Sequence, residues 1–130
     1  MPLTSSAAAA LIAAAKSGLE ALTPAQLAAV WPTADTALVD LREPAELARE
    51  GMIEGALHVP RGLLEFAADP ASPLHKTQMH PDRRVILYCA SGGRSALAAQ
   101  TLRGMGYARL AHLEGGIAAW KAHGRPVSAG

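Results

Sequence analysis

Residues 87–95, Leu-Tyr-Cys-Ala-Ser-Gly-Gly-Arg-Ser, hold the only cysteine of the chain, Cys89, at the end of an apolar run. A lone cysteine is a packed core side chain, a metal ligand or a nucleophile, and its neighbours decide among these. Gly92 and Gly93 allow positive φ, so the backbone after Cys89 can curl and turn successive N–H groups into one concavity. A helix starting near Arg94 or Ser95 adds the positive end of its dipole, and the Arg94 guanidinium adds a full charge. All three favour the thiolate, which is the nucleophilic form, and the same cradle suits an anionic sulfur compound after attack. Cys89 is thus the expected nucleophile, in a cradle of Ala90, Ser91, Gly92, Gly93, Arg94 and Ser95.

A metal centre is not expected. There is no second cysteine, and His58, His75, His80, His112 and His123 lack ligand-like spacing. Most of these histidines read as surface or loop side chains; His75 and His80 lie in a long loop able to approach the pocket. Ser95 reads as a helix cap whose hydroxyl is also able to face the loop. Asp40 and Arg42 stand at the end of another strand, where they could border the pocket. The favoured reading is an ion pair fixing the turn before Pro44. Glu43 reads as a helix N-terminal charge, Glu46 as a solvated or paired side chain, and Trp31 and Trp120 as packing.

These residues need a frame. "TALVD" and "RVILYC" are short continuous apolar runs, the pattern of strands buried on both faces. "GALHVP" and "ARLAHL" read as further strands. Thr23, Pro24 and Gln26 make a capping-box start for a helix carrying Leu27, Val30 and Trp31 on one face. "EPAELAREG" reads as a helix stopped by Gly51, residues 61–68 as a helix, and residues 69–82 as a proline-punctuated loop. "SALAAQTLRGMG" and "GGIAAWKAHG" complete the helices, the former with Leu97, Thr101 and Leu102 along one side. The alternation predicts a parallel sheet covered on both faces, in which ligands bind at the C-terminal strand ends, where Cys89 stands.

The chain of 130 residues is long enough for one domain with its own core, and half of its residues are apolar. A formal net charge of +1 with scattered cations gives no pull toward nucleic acid or an anionic membrane. One cysteine excludes an internal disulfide and fits a reducing, cytoplasmic setting. The apolar run Ala7 to Ala15 lacks a preceding basic residue and is mostly alanine, so it reads as a packed helix rather than an export signal. The expected organisation is an Ala-rich helical extension over 1–18 and one domain over 19–130, with no membrane span.

Four segments in order, "LVDLREPAEL", "GMIEGALHVP", "YCASGGRSALAA" and "LEGGIAAW", resemble the single-domain rhodaneses, a sulfurtransferase family. The resemblance runs from about Leu19 to Val127. It implies an α/β fold with a five-stranded parallel sheet flanked by helices on both faces, to which this chain adds its Ala-rich N-terminal helix. It also implies that Cys89 takes sulfane sulfur from thiosulfate or a persulfide, and that the Cys89 persulfide passes it to cyanide or a thiol. No cofactor is implied, and the donor could be a small molecule or a protein persulfide.

Two departures bear on chemistry and turn shape. Ala90 and Ser91 stand where two-domain thiosulfate enzymes carry basic residues, which counts against efficient use of the thiosulfate dianion and leaves room for a persulfide donor. Met52 and Glu54 replace the usual histidine and proline of the second segment, which predicts a changed turn. The competing readings are a non-catalytic binding module of the same fold and, more remotely, a phosphatase or arsenate reductase. Tyrosine and dual-specificity phosphatases set five residues between cysteine and arginine; here there are four.

Overall fold

A computed structural model describes residues 6–129. Residues 1–5 of the expected extension, and residue 130, lie outside the described residues. The alanine run forms α1 (Ala7–Lys16), with the Ser6 hydroxyl accepting from the Ala9 N–H at 2.9 Å. Alanine carries little hydrophobic area, so the helix is held mainly by close approach to its neighbour, with Ala15 buried in the core.

The sheet consists of β1 (Glu20–Leu22), β2 (Thr36–Asp40), β3 (Leu57–His58), β4 (Arg84–Tyr88) and β5 (Leu110–Leu113). Every pairing is parallel and the order is β1-β5-β4-β2-β3, which puts the most apolar run, β4, at the centre. Side chains alternate across a strand, so each face of β4 feeds a different core. Val85 and Leu87 pack with α1, α4 (Leu64–Ala68) and α5 (Gly93–Gly104), while Ile86 and Tyr88 pack with α2 (Pro24–Val30) and α6 (Gly116–Ala122). All four are fully buried, worth about 1.5–3 kcal/mol each for the aliphatic side chains. The two-sided α/β sheet matches the expected architecture.

Local chemistry sets the helix ends. Thr23 and Gln26 exchange the two capping-box hydrogen bonds, at 3.2 and 2.9 Å, and start α2. The helix α3 (Pro44–Glu50) stops at Gly51, as its sequence predicts. A 3-10 turn over Arg61–Leu63 leads into α4, so the helix expected over residues 61–68 is two short pieces. Beyond Gly51, Met52 exchanges backbone hydrogen bonds with Ser128, at 2.9 and 2.8 Å, tying down the C-terminal tail.

Three features depart from the sequence reading. Residues 20–22, to which the sequence assigns no element, form the three-residue edge strand β1. The helix α5 begins at Gly93 with Gly92 as its N-cap, and Ser95 sits inside its first turn rather than capping it. Its core face is Ala96, Ala98, Ala99 and Leu102, while Leu97 and Thr101 are half-buried. Small residues let α1 and α4 approach α5 closely, a packing that hydrophobic periodicity does not signal.

Candidate active site

Cys89 follows directly after β4, the central strand, and is 1% exposed. The chain then reverses into α5 through Gly92, whose φ of +114° lies in a region that favours glycine. This turn aims the Gly92 N–H at the Cys89 sulfur, 3.2 Å from nitrogen to Sγ. The uncapped N–H groups of the first turn of α5 lie beside the same loop. A second helix start holds the loop from behind. The N–H groups of Ile117 and Ala118, in the first turn of α6, donate to the carbonyls of Cys89 and Ala90 at 2.9 and 3.2 Å. Gly116 makes this contact possible, since a Cβ there would lie 2.5 Å from the carbonyl oxygens of both residues. The "LEGGIAAW" segment therefore acts on the cysteine loop through backbone, not side chains.

Arg94 does not point a free charge at the loop. Its Nη1 and Nη2 donate to Oε1 and Oε2 of Glu46 at 2.7 and 2.8 Å, a two-pronged pair across 48 positions of sequence. The Arg94 guanidinium holds the Glu46 carboxyl down at about 2, despite an opposing effect of burial. Arg94 is in turn held well above its ordinary value, first by Glu46 and in smaller part by Cys89. Glu46 also accepts from the Glu43 N–H at 3.0 Å, so the start of α3 is locked to the start of α5.

Asp40 and Arg42 form a separate, fully buried pair. Arg42 donates from Nε, Nη2 and its backbone N–H to the Asp40 carboxylate at 2.8–3.1 Å, and Nη2 also reaches the Gly51 carbonyl at 2.6 Å. The Tyr88 ring lies under the guanidinium at 5.8 Å, and the Tyr88 hydroxyl accepts from the Ile53 N–H at 3.0 Å. Burial, and then Asp40, push the Tyr88 phenol far up. The pair ties the end of β2 to the end of α3; no hydrogen bond joins it to Cys89 among the described residues.

The residue missed from sequence is His112. It is 2% exposed rather than on the surface, and its Nδ1 lies 2.8 Å from Ser95 Oγ. Ser95 Oγ is also 3.1 Å from the Gly92 carbonyl and 3.8 Å from Cys89 Sγ. Strand geometry explains the meeting. His112 pairs with Leu87, two residues before Cys89, and shares the face of β5 that carries Leu110 toward α5. Burial first, and then Lys16, lower the His112 pKa, with Glu114 opposing. A polar residue one position from the end of a buried strand was the available signal. His75 and His80 stay away: His75 Nε2 bonds the Met79 carbonyl and His80 pairs with Asp82.

Among the described residues no group of three or more His, Cys, Asp or Glu side chains is arranged to hold a metal, and no helix is long and apolar enough to cross a membrane. A groove of about 440 Å³ between Trp31, Trp120 and Arg125 lies on the other face of the sheet and shares no residue with the cysteine loop.

The family model for the rhodanese-like domain matches residues 23–123. A protein from Allochromatium vinosum described as a sulfurtransferase is 43% identical over 97 residues, covering 75% of this chain and 82% of that one. Other curated relatives are longer, and the chain spans less than half of some of them. A solved structure from Rhodopseudomonas palustris, of unknown function and described as a possible tyrosine phosphatase, is 41% identical with a TM-score of 0.86, over 98% of this chain and 99% of that one. The polysulfide-sulfur transferase homodimer of Wolinella succinogenes is 32% identical with a TM-score of 0.70, over 92% and 85% of the two chains. The fold, the cysteine loop at the central strand's end and these matches agree: this chain belongs to the rhodanese-like family, among relatives that include sulfurtransferases.

Proposed function

We propose that the chain is a sulfurtransferase that carries sulfane sulfur on Cys89. The carrying observation is the sulfur at the end of β4 accepting the Gly92 N–H at 3.2 Å, at the mouth of a short loop beside the start of α5. Backbone N–H groups of this kind stabilise an anionic sulfur wherever the charge sits, on Sγ or on an outer sulfur. In the first half-reaction the Cys89 thiolate attacks the sulfane sulfur of a donor. The S–S bond of the donor breaks, its electron pair leaves with sulfite or a thiolate, and a Cys89 persulfide remains. In the second, cyanide or a thiolate attacks the outer sulfur and the Cys89 thiolate departs. No second cysteine resolves the persulfide, so the acceptor comes from outside the chain.

The pairing of Arg94 with Glu46 bears on the donor. Arg94, the loop's own cation, is already neutralised and leaves a dianion only the Lys16 ammonium, which approaches Gly92 from α1, so a persulfide, small or carried on a protein, is the better donor than thiosulfate. Ala90, Ser91 and Gly93 contribute backbone, and Asp40 and Arg42 support the fold around the site rather than bind substrate. The Ala-rich helix is an extension of one domain that spans the rest of the chain. A free thiol of this kind suits the reducing cytoplasm, without nucleic-acid or membrane partners.

The phosphatase description of the R. palustris relative is the observation favouring a second reading. Four residues between Cys89 and Arg94, one fewer than in tyrosine phosphatases, make a cradle sized for sulfur rather than a tetrahedral phosphate. Intact-mass spectrometry after incubation with a low-molecular-weight persulfide, or with thiosulfate, tests the proposal. The wild type gains one sulfur atom and C89S gains none. A protein that neither donor loads, but that hydrolyses a phosphate ester through Cys89, refutes it.

A further inference from the structure

Ser95 and His112 have no part in the cycle above, yet both are buried and linked to the nucleophile. We infer that they form a proton relay: as the Cys89 thiolate forms, the thiol proton passes to Ser95 Oγ while the Ser95 hydroxyl proton passes to His112 Nδ1. This rests on the nucleophilic role of Cys89. The products are a thiolate, a neutral serine and an imidazolium, so every proton is accounted for and no outside reactant enters.

The geometry serves both ends of the transfer. Ser95 Oγ has one proton and lies within reach of three groups: Cys89 Sγ at 3.8 Å, His112 Nδ1 at 2.8 Å and the Gly92 carbonyl at 3.1 Å. Before transfer the hydroxyl donates to Nδ1 and accepts from the thiol. Afterwards the imidazolium Nδ1–H donates to Oγ, and the hydroxyl turns to the Gly92 carbonyl or the new thiolate. No buried polar atom of the relay loses its partner in either state, which keeps the two states close in energy. The sulfur–oxygen distance is long, as catalytic hydrogen bonds often are without substrate.

The surroundings of His112 decide its resting form. The Cys89 end of β4 and Ser95 of α5 face it, α1 brings Lys16, the segment after β5 brings Glu114, and β1 opposes it with the uncharged Ala21. Burial, and then the nearby Lys16 ammonium, disfavour the imidazolium until a negative charge appears beside it. The thiolate is that charge. Burial first, with Lys16 of the N-terminal helix adding to it, thereby favours the neutral acceptor while the thiol is protonated.

The difference in ultraviolet absorbance between the wild type and C89S reads the thiolate of this single cysteine across pH. His112→Asn keeps a hydrogen-bonding side chain but cannot take the proton. The expected result is a thiolate midpoint raised by about one pH unit, tenfold less thiolate below the midpoint. Ser95→Ala, which deletes one oxygen, shifts it the same way. A readout on the intact relay stands beside these variants: the imidazole titration of His112, followed by NMR, shifts to lower pH in C89S. Unchanged midpoints in both variants, or a His112 titration indifferent to Cys89→Ser, overturns the relay. The sulfur-transfer reading fails separately, by absence of loading, because neither readout involves a sulfur donor.

Discussion

Gly116→Ala is the substitution whose cost is set most directly by geometry. A Cβ at this position lies 2.5 Å from the carbonyl carbon and oxygen of Ala90 and from the carbonyl oxygen of Cys89, nearly an ångström inside ordinary contact. All three atoms are backbone, so no side chain can swing aside. The φ of +62° adds about 1–2 kcal/mol for any residue with a Cβ. Relieving the overlap costs about 1–3 kcal/mol more. Moving α6 away would forfeit the hydrogen bonds from Ile117 and Ala118, worth about 1 kcal/mol each. The expected loss is about 3–5 kcal/mol, and the melting temperature should fall by roughly 10 °C or more for a chain of this length. Thermal unfolding measures this, and thiolate absorbance reports whether Cys89 has shifted. Gly104→Ala is the control, since that helical position has open space and ordinary φ; it should leave the melting temperature unchanged or higher. A Gly116→Ala protein that melts with the wild type and titrates Cys89 identically would refute the claim that α6 shapes the loop through backbone contact.

Three further outcomes follow from the charged pairs. Glu46→Gln should release Arg94 toward the loop and improve loading by thiosulfate relative to a neutral persulfide; an unchanged ratio of loading rates would show that the pairing does not govern donor charge. Because the Glu46 carboxyl is held at about 2 when folded, its contribution is complete above its unfolded value near 4.3 and is lost as pH falls from there toward 2. Urea midpoints across that window should therefore drop less in Glu46→Gln than in the wild type. Asp40→Asn leaves the buried Arg42 cation without its counter-charge and should cost about 3 kcal/mol in urea unfolding, while a midpoint equal to that of the wild type would contradict the structural role of the pair.

What the sequence made legible was mostly local. The continuous apolar run of β4, the capping box at Thr23, the glycines after Cys89 and the stop at Gly51 each carry their chemistry within a few residues, and each element forms where that chemistry puts it. The β1 strand escaped because three residues hold too little pattern, and its existence depends on pairing with β5, about 90 positions later. The face of α5 escaped because alanines pack it. At the site, Cys89 and the turn after it were readable, whereas the state of Arg94 was not, since Glu46 reaches it only after the sheet brings α3 and α5 together. His112 looked like one polar residue in a weak strand; only the register of β5 against β4 places it beside Ser95.

Single-turnover transfer from isolated, sulfur-loaded protein tests the central claim most directly. Protein loaded by a persulfide and freed of excess donor is mixed with cyanide, and thiocyanate and intact mass are followed together. The expected result is one thiocyanate formed for each sulfur lost from Cys89, with C89S forming none. Thiocyanate formed equally by C89S, or a loaded protein that keeps its sulfur against both cyanide and thiols, would contradict sulfur transfer through Cys89.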